Sequence, residues 1–366
     1  MNQVEETRTS LPAIVPTLNV PAGRDAERVG ALPGVGSGCS ATPRRYPTAG
    51  GRVPAGHAGL SAGSPSVPGV DEQHVSPADR HSTPVDGVEV LGALSPSRAG
   101  DFLSCPLLYR FRTVDRLPEP PSVDAVRGTL VHKVLEDLFD LPAAERTPQR
   151  ADDLLTPTWE ELCEAEPELR ALFGAEGAEL APWLASCRAV LERYFTLEDP
   201  RRLEPADREL YVEALLDSRL LLRGFIDRVD VAPDGAIRLV DYKTGRAPGP
   251  GYEAKALFQM KFYALVIWRT RGVVPAMLRL IYLGSGEIIS YAPDEEDLRA
   301  TERKVEAVWR AIREAAETGD WRPHRSRLCD WCHHQAICPA FGGTPPPLPD
   351  TDPVLLPLEP VQLSSE

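Results

Sequence analysis

The chain alternates segments of helical hydrophobic periodicity with short apolar runs, and together these patterns predict a mixed α/β core. Residues 127–141 predict an amphipathic helix, whose apolar stripe comprises Leu130, Val131, Val134, Leu135, Leu138 and Phe139. Two further helices are predicted at 252–272 and at 294–319, and the second has an acidic start and a glycine at its end. Apolar runs at 220–243 and 276–292, each divided by a turn sequence, predict two pairs of strands.

The strand pair at 220–243 carries an aspartate in each of its apolar runs. The loop Pro-Asp-Gly, centred on Asp234, suits a type I turn with its glycine in the left-handed conformation. Residues equidistant from Asp234 then face each other, so Asp227 and Asp241 are expected to be cross-strand partners. The two-residue period of a strand places Lys243 on the same face as Asp241. Two opposed carboxylates repel each other, and a divalent cation between them would remove that repulsion.

Composition divides the chain into three parts. Residues 1–88 are rich in Pro, Gly, Ser, Ala and Arg and have no sustained apolar period, so they are predicted to be a disordered arm. Residues 89–343 are predicted to form one domain, in which 142–200 reads as a helical insertion with proline-marked breaks. Residues 344–366 are predicted to be an extended, proline-rich tail.

The charge distribution limits the classes of binding partner that the chain can have. A net charge of −14 counts against a nucleic-acid binder with a general basic surface. The arginines are nevertheless clustered, which is compatible with a local basic groove: Arg98, Arg110, Arg112, Arg116 and Arg127, then Arg322, Arg325 and Arg327. No run approaches the ~20 apolar residues of a membrane span, and no signal-peptide core is evident. We therefore expect a cytoplasmic protein without membrane contact.

Four short motifs carry a resemblance to a known family. GTLVH (128–132), GFIDRVD (224–230), DYKTG (241–245) and QMKFY (259–263) occur in this order. Together they resemble the motifs of RecB-type nucleases of the PD-(D/E)xK superfamily. The segment LSPSRAGDFLSCP and a final Cys-x2-Cys-x5-Cys resemble the iron–sulfur branch, which includes AddB-type nuclease domains and CRISPR-associated exonucleases. The resemblance extends over about 94–343; each motif alone is weakly specific, and the ordered set is specific.

This resemblance implies both a fold and an activity. The fold would be α/β with a restriction-endonuclease-like core, in which helices flank a central mixed β-sheet. The activity would be metal-dependent hydrolysis of phosphodiester bonds in DNA, as an exonuclease in repair or recombination. The protein would then be nucleoid-associated. The sequence has no G-x-x-x-x-G-K-[ST] loop, so a separate helicase or repair protein is the expected partner.

The resemblance also implies an active site, position by position. His132, Asp227, Asp241 and the main-chain carbonyl of Tyr242 would bind Mg²⁺ or Mn²⁺. Asp227, Asp241 and Lys243 would be the catalytic residues. Because imidazole suits later transition metals better than Mg²⁺, we expect Mn²⁺ to support activity at least as well.

Some residues near these motifs have open assignments. Gln259 and Tyr263 match the Q-x-x-x-Y motif that supports the active site and contacts DNA, but helix-face packing is the alternative for both. Glu209 or Glu213, which precede the hairpin, could approach the site, and the sequence does not choose between them.

The metal-site motifs also have ordinary structural alternatives. The two aspartates could be solvent-facing strand residues paired with Arg228 or Lys243, and His132 could be a satisfied histidine at the rim of a helix stripe. At the level of function, a non-catalytic DNA-binding scaffold of a repair complex and a nuclease of CRISPR adaptation remain alternatives.

The cysteines predict a second metal site. Seven cysteines without an export signal argue against a disulfide framework. Three are close together in the segment 329–338, Cys329, Cys332 and Cys338, and Cys105 is the candidate fourth ligand. Four thiolates could hold a [4Fe–4S] cluster or Zn²⁺, and the family resemblance favours the cluster. His333 or His334 could complete a zinc site, and free thiols are a further alternative.

Overall fold

The computed structural model describes residues 88–174, 177–249 and 253–349. Apart from residue 88, the predicted disordered arm lies outside the described residues, as do residues 350–366 of the predicted tail.

A six-stranded mixed sheet forms the centre of the described chain. β3 is antiparallel to both β2 and β4, β4 is parallel to β5, and β5 is antiparallel to β6. The predicted mixed α/β class with a central mixed sheet is therefore confirmed. The strands are β1 (Gly92–Leu94), β2 (Asp207–Leu215), β3 (Leu220–Val231), β4 (Ile237–Lys243), β5 (Met277–Tyr282) and β6 (Glu287–Tyr291).

One edge of β3 is interrupted where the predicted metal ligands begin. β2 pairs along one edge of β3, from Leu221 to Val229. On the other edge β1 pairs with 220–222 and β4 pairs with 228–231. Among the described strands, residues 223–227 of β3 therefore have no backbone partner on that edge. This opening in the sheet ends at Asp227.

Seven α-helices flank the sheet in the described residues. They are α1 (Pro96–Ser104), α2 (Pro106–Tyr109), α3 (Val123–Leu138), α4 (Pro148–Ala165), α5 (Leu180–Leu197), α6 (Glu253–Arg271) and α7 (Glu295–Thr318). The capping residues agree with the sequence pattern at α7, where the Asp294 side chain accepts the backbone N–H of Asp297. Gly319 follows α7 with φ 71°, a left-handed conformation that suits glycine. The predicted helix at 127–141 is α3, which begins and ends a few residues earlier than predicted.

The two faces of the sheet bury separate hydrophobic cores. α1, α6 and α7 pack on one face, and α3, α4 and α5 pack on the other. Along β4, Leu239 belongs to the first core, whereas Val240 and Tyr242 belong to the second. Alternation thus directs Asp241 to the α6 side of the sheet. No helix in the described part of the chain combines the length and apolar character needed to cross a membrane.

Candidate active site

The β3–β4 hairpin has the register that its turn predicts. Arg228 pairs with Val240 and Val229 pairs with Leu239, so Asp234 is the centre of the hairpin. Gly235 has φ 87°, the left-handed conformation expected after Pro-Asp. Backbone pairing ends at Arg228, one residue before the two aspartates would meet.

The Asp227 side chain continues the hairpin where backbone pairing stops. The backbone N–H of Tyr242 donates to Oδ2 of Asp227 at 2.7 Å. This hydrogen bond spans the opening in the sheet and fixes the carboxylate beside the residue that follows Asp241. The two predicted acidic ligands are therefore held by neighbouring positions of adjacent strands.

Asp241, Lys243 and Gln259 form a closed triangle of contacts. Lys243 Nζ lies 2.8 Å from Asp241 Oδ2, and Gln259 Nε2 donates to Asp241 Oδ1 at 2.7 Å. Lys243 Nζ also donates to Gln259 Oε1 at 2.9 Å. Asp241 is only 1% exposed, and burial, with the nearby charge of Asp227, raises the pKa of Asp241 to about 7, although Lys243 opposes the rise. The triangle stabilises a carboxylate that is otherwise costly to bury.

His132 approaches the aspartates from α3. Its Nε2 lies 2.9 Å from the carbonyl oxygen of Tyr242, and its Nδ1 lies 3.5 Å from Asp227 Oδ2. A carbonyl only accepts, so Nε2 carries the proton of this hydrogen bond. In the neutral ring, Nδ1 then directs a lone pair towards a carboxylate oxygen. Two electron-rich atoms at this separation could hold a cation between them.

Glu209 on β2 lies beside His132 and Asp227. Of the two glutamates that the sequence offered, the structure thus places Glu209, and not Glu213, at the site. One ligand atom each from His132, Glu209 and Asp227 lie within 4.8 Å of one another. Burial, and then the charge of Asp227, raise the pKa of Glu209 to about 7. Glu213 is exposed instead and accepts a hydrogen bond from the Tyr211 hydroxyl at 2.7 Å.

An unusual backbone conformation places Glu209 in the site. Its φ is 42°, in the left-handed region that costs a non-glycine residue roughly 1 kcal/mol or more. The residue pairs on both sides of it keep one register, Arg208 with Arg228 and Leu210 with Ile226. Leu210 packs on the α6 side, whereas the Arg208 side chain donates to the Glu136 carbonyl of α3. The side-chain alternation of β2 therefore reverses at Glu209.

Tyr263 and Gly224 pack together at the edge of the site. Tyr263 is buried, shares a side-chain hydrogen bond with Gln259, and has its pKa raised above the usual value by burial. A Cβ on Gly224 would lie 2.8 Å from a ring carbon of Tyr263. At position 224, in the opening of β3, no residue larger than glycine leaves room for this ring. The predicted Q-x-x-x-Y pair thus lies beside the aspartates, with Gln259 in direct contact with Asp241 and Lys243.

A family comparison matches the part of the chain that contains this site. Residues 93–339 match the family model described as the PD-(D/E)XK nuclease superfamily. The chain belongs to this superfamily. The matched residues include both hydrophobic cores and the hairpin, so the match is not confined to the short motifs.

Relatives of the chain occur in mycobacterial phages. It is 29% identical to the Gene 69 protein of Mycobacterium phage D29 over 203 residues, which are 49% of this chain and 70% of the phage protein. It is 24% identical to the Gene 69 protein of Mycobacterium phage L5 over 297 residues, 70% of this chain and 99% of the relative. Among solved structures, a candidate exonuclease from Eubacterium rectale aligns with a TM-score of 0.45 and 15% identity, covering 74% of this chain and 94% of that protein.

The four cysteines predicted as ligands of a second site are also brought together in this superfamily member. Cys105, Cys329, Cys332 and Cys338 line one small cavity of about 50 Å³ that opens to solvent. Burial raises the pKa of the Cys332 thiol, and its three cysteine neighbours add to the rise. Backbone N–H groups point at two of the sulfurs, from His324 to Cys105 at 3.3 Å and from Ser326 to Cys329 at 3.4 Å.

The predicted histidine alternatives for a zinc site are not equivalent. His334 is buried, and its Nε2 lies 2.8 Å from Glu119 Oε1. Glu119 in turn accepts two hydrogen bonds from Arg112, at 2.8 and 2.9 Å. His334 is therefore engaged in a network outside the thiol cavity. Of the two histidines, His333 is thus the better candidate for a zinc ligand.

Proposed function

We propose that this protein is a metal-dependent deoxyribonuclease that acts as an exonuclease on DNA in repair or recombination. The observation that supports it most is the contact of Asp241, Lys243 and Gln259 directly beside the grouped ligands His132, Glu209 and Asp227. Superfamily membership supports a nuclease. The predicted helicase or repair partner, the localisation at the nucleoid and the domain boundaries stay predictions.

The donor atoms of the site fit a divalent cation that prefers oxygen. His132, Glu209 and Asp227 would hold Mn²⁺ or Mg²⁺, with Asp241 and the Tyr242 carbonyl completing the set. The Tyr242 carbonyl accepts from His132 and keeps a second lone pair. When bound, the cation would lower the pKa of an attacking water and offset charge on the scissile phosphate.

The protein's own groups then orient the reaction. Lys243 is 34% exposed in its side chain, whereas Asp241 is enclosed, so the ammonium is the member of the triangle that reaches substrate. It would orient the attacking water and stabilise negative charge that develops on the phosphate. Gln259 holds Lys243 and Asp241 in fixed positions, which lowers the reorganisation needed during the reaction.

Two glutamates on β2 provide a sharp test of the site. We expect Glu209→Gln to weaken Mn²⁺ binding and cleavage by at least about 10-fold, because a charged oxygen beside the cation is removed. Glu213→Gln, four residues along the same strand but exposed, should leave both unchanged. Calorimetry measures Mn²⁺ binding, and end-labelled linear DNA and closed circular DNA measure cleavage.

The outcomes of this test separate the candidate activities. Digestion of linear DNA from its ends with circular DNA left intact supports an exonuclease, whereas cutting of the circle would show endonuclease action. Binding of DNA without any cleavage in Mg²⁺ or Mn²⁺ would contradict the nuclease and favour a scaffold. Equal Mn²⁺ affinity in the Glu209 and Glu213 variants would remove Glu209 from the site.

We further propose that Cys105, Cys329, Cys332 and Cys338 hold a [4Fe–4S] cluster. Thiolates on one tetrahedral zinc ion would lie about 3.8 Å apart. In the described part of the chain, the ligand group that closes within 4.8 Å contains His132, Glu209 and Asp227, not these thiols. A wider arrangement around one cavity suits a multi-iron cluster better than a single ion. The cluster would join the end of α1 to the segment after α7.

Cys105→Ala should lose the cluster and destabilise the fold. Anaerobically purified protein should be brown, with broad absorption near ~400 nm and about four irons per chain, whereas the variant should be colourless. Its unfolding midpoint should fall, because metal binding and folding are coupled in such sites. Cys163→Ala is the matched control, since Cys163 is buried among α4 residues away from the cavity, and it should keep its colour. A colourless active protein with one zinc would reject the cluster.

A further inference from the structure

The segment that carries three of the four cavity cysteines exposes large apolar side chains. Trp331 is 73% exposed, Leu328 is 55% exposed and Phe341 is 42% exposed. Trp331 is the most exposed large hydrophobic residue in the described part of the chain. A tryptophan in this setting buries little of its own area within the fold, so its ring is available to a ligand.

The charge around these side chains is the opposite of that of the chain as a whole. The net charge of the protein is −14, yet residues 321–341 contain three arginines and a single aspartate. The Arg325 guanidinium lies over the Phe341 ring at 4.7 Å. Within the described residues, neither Arg325 nor Arg327 has a carboxylate partner. A polyanion is therefore the ligand that the charge of this surface complements.

Direct contacts connect the same segment to the active site. Lys255, one turn before Gln259 on α6, donates to the Ser104 hydroxyl at 3.3 Å. The carbonyl of Ser104 lies 3.0 Å from His324 Nδ1, and His324 begins the stretch that contains the exposed residues. Ser104 and His324 also line one cavity with Arg325, Leu328 and Phe341, so these contacts link the segment to the end of α6 that carries Gln259.

We propose that Leu328, Trp331, Phe341 and Arg325 form a stacking surface that binds single-stranded DNA next to the active site. Aromatic rings stack on base faces, and neighbouring arginines that lack a carboxylate partner among the described residues attract the phosphate backbone at the same time. Inside a duplex the base faces are covered by neighbouring base pairs, so unpaired nucleotides, which expose both faces, fit the surface best. The inference deepens the proposed function, on which it rests, by naming unpaired strands as the substrate class.

The test compares DNA binding by single variants at this exposed surface. Fluorescence anisotropy with a labelled oligothymidylate, without divalent cations, should show that Trp331→Ala weakens binding by about 10-fold, the loss expected for one stacked base. Trp331→Phe should retain most of the affinity, because it keeps an aromatic face. Arg325→Ala should weaken binding and reduce its salt dependence. Val273→Ala, another exposed apolar position, is the control and should bind normally.

A duplex of the same length without overhangs should bind equally well to wild type and Trp331→Ala. Under saturating DNA, the cleavage rate of Trp331→Ala should match that of wild type, whereas the DNA concentration needed for half-maximal rate should rise. Equal binding of single strands by Trp331→Ala and wild type, with DNA cleavage by wild type, would contradict the stacking surface but not the nuclease. A protein partner would then be the alternative occupant of the surface. If wild type neither binds nor cleaves DNA, both proposals fail together.

Discussion

Replacing Asp241 by asparagine should abolish DNA cleavage and make the metal-free protein more stable at pH 8. The carboxylate is fully enclosed and close to the charge of Asp227, and Lys243 offsets the cost of its charge only in part unless a metal cation is bound. Asparagine keeps the shape and can still accept from Lys243, but it removes the charge that a cation requires. Cleavage should fall by at least about 10³-fold, a loss typical of removing a central catalytic group.

The stability change should depend on pH with a definite sign. Burial raises the folded-state pKa of Asp241 to about 7, above the value near 4 of an unfolded aspartate. The folded state therefore binds more protons between these values, and its stability falls as the pH rises through them. Asparagine does not titrate, so its advantage over aspartate should be small at pH 4.5. At pH 8 the advantage should be on the order of 1–3 kcal/mol, less than the full difference between the two pKa values because asparagine leaves Lys243 without a charged partner.

Urea unfolding at pH 4.5 and pH 8 measures this difference without any DNA. Asp153→Asn, at a half-exposed position on α4, is the control and should show the same stability as wild type at both pH values. Added Mn²⁺ should raise the midpoint of wild type at pH 8 and have much less effect on Asp241→Asn. An Asp241→Asn protein that is less stable than wild type at pH 8 would mean that the carboxylate is a structural residue of the sheet.

The hairpin could be predicted from sequence because its determinants are local. Pro-Asp-Gly fixes the turn, the turn fixes the register, and the two-residue strand period then puts Asp241 and Lys243 on one face. The helices α6 and α7 were predictable for the same reason, since their periodicity and end signals are contained in single segments. The superfamily match confirms the family that the ordered motifs indicated.

β2 and the choice of Glu209 over Glu213 were not predictable in this way, because the turn between β2 and β3 lacks its usual signal. The turn is centred on Ser218, and Arg219 has φ 62° where glycine or asparagine is expected. A turn recognised at Ser218 would have placed Glu209 opposite Asp227. Even then, a regular strand would not reveal the reversal of alternation at Glu209, which depends on its own left-handed backbone.

The sequence predicts the helices between α3 and β2 as a helical insertion. It does not predict how these helices are connected to the active site. That connection is made by Glu198, which follows α5 directly. Its carboxylate accepts from Arg228 at 2.9 Å and from Arg279 at 3.2 Å, on two strands of the sheet. Such a contact joins residues far apart in sequence and leaves no periodic pattern.

Replacing Arg228 by methionine should therefore cause the largest loss of stability of any change behind the site. Arg228 is 1% exposed and donates hydrogen bonds to Glu198, Asp230 and the Tyr242 hydroxyl. Its guanidinium carbon also lies 5.5 Å from the ring centroids of Phe139 and Tyr242. Methionine fills much of the space but leaves buried carboxylates without this partner. We expect a loss of about 3–5 kcal/mol in the free energy of unfolding at pH 7.

The charge, rather than the volume, should account for most of that loss, and a second substitution distinguishes the two. Arg228→Met combined with Glu198→Leu removes both members of the ion pair and leaves apolar groups in their place. Replacing both partners should recover at least half of the lost stability, because no buried carboxylate of Glu198 remains unpaired, although Arg279 then loses its partner. Urea denaturation of the wild type, both single variants and the double variant gives the coupling energy directly. Additive losses would show that Arg228 and Glu198 act independently. A coupling of several kcal/mol would identify this buried pair as the link that holds the α3–α5 core against the strand of Asp227, and so against the site itself.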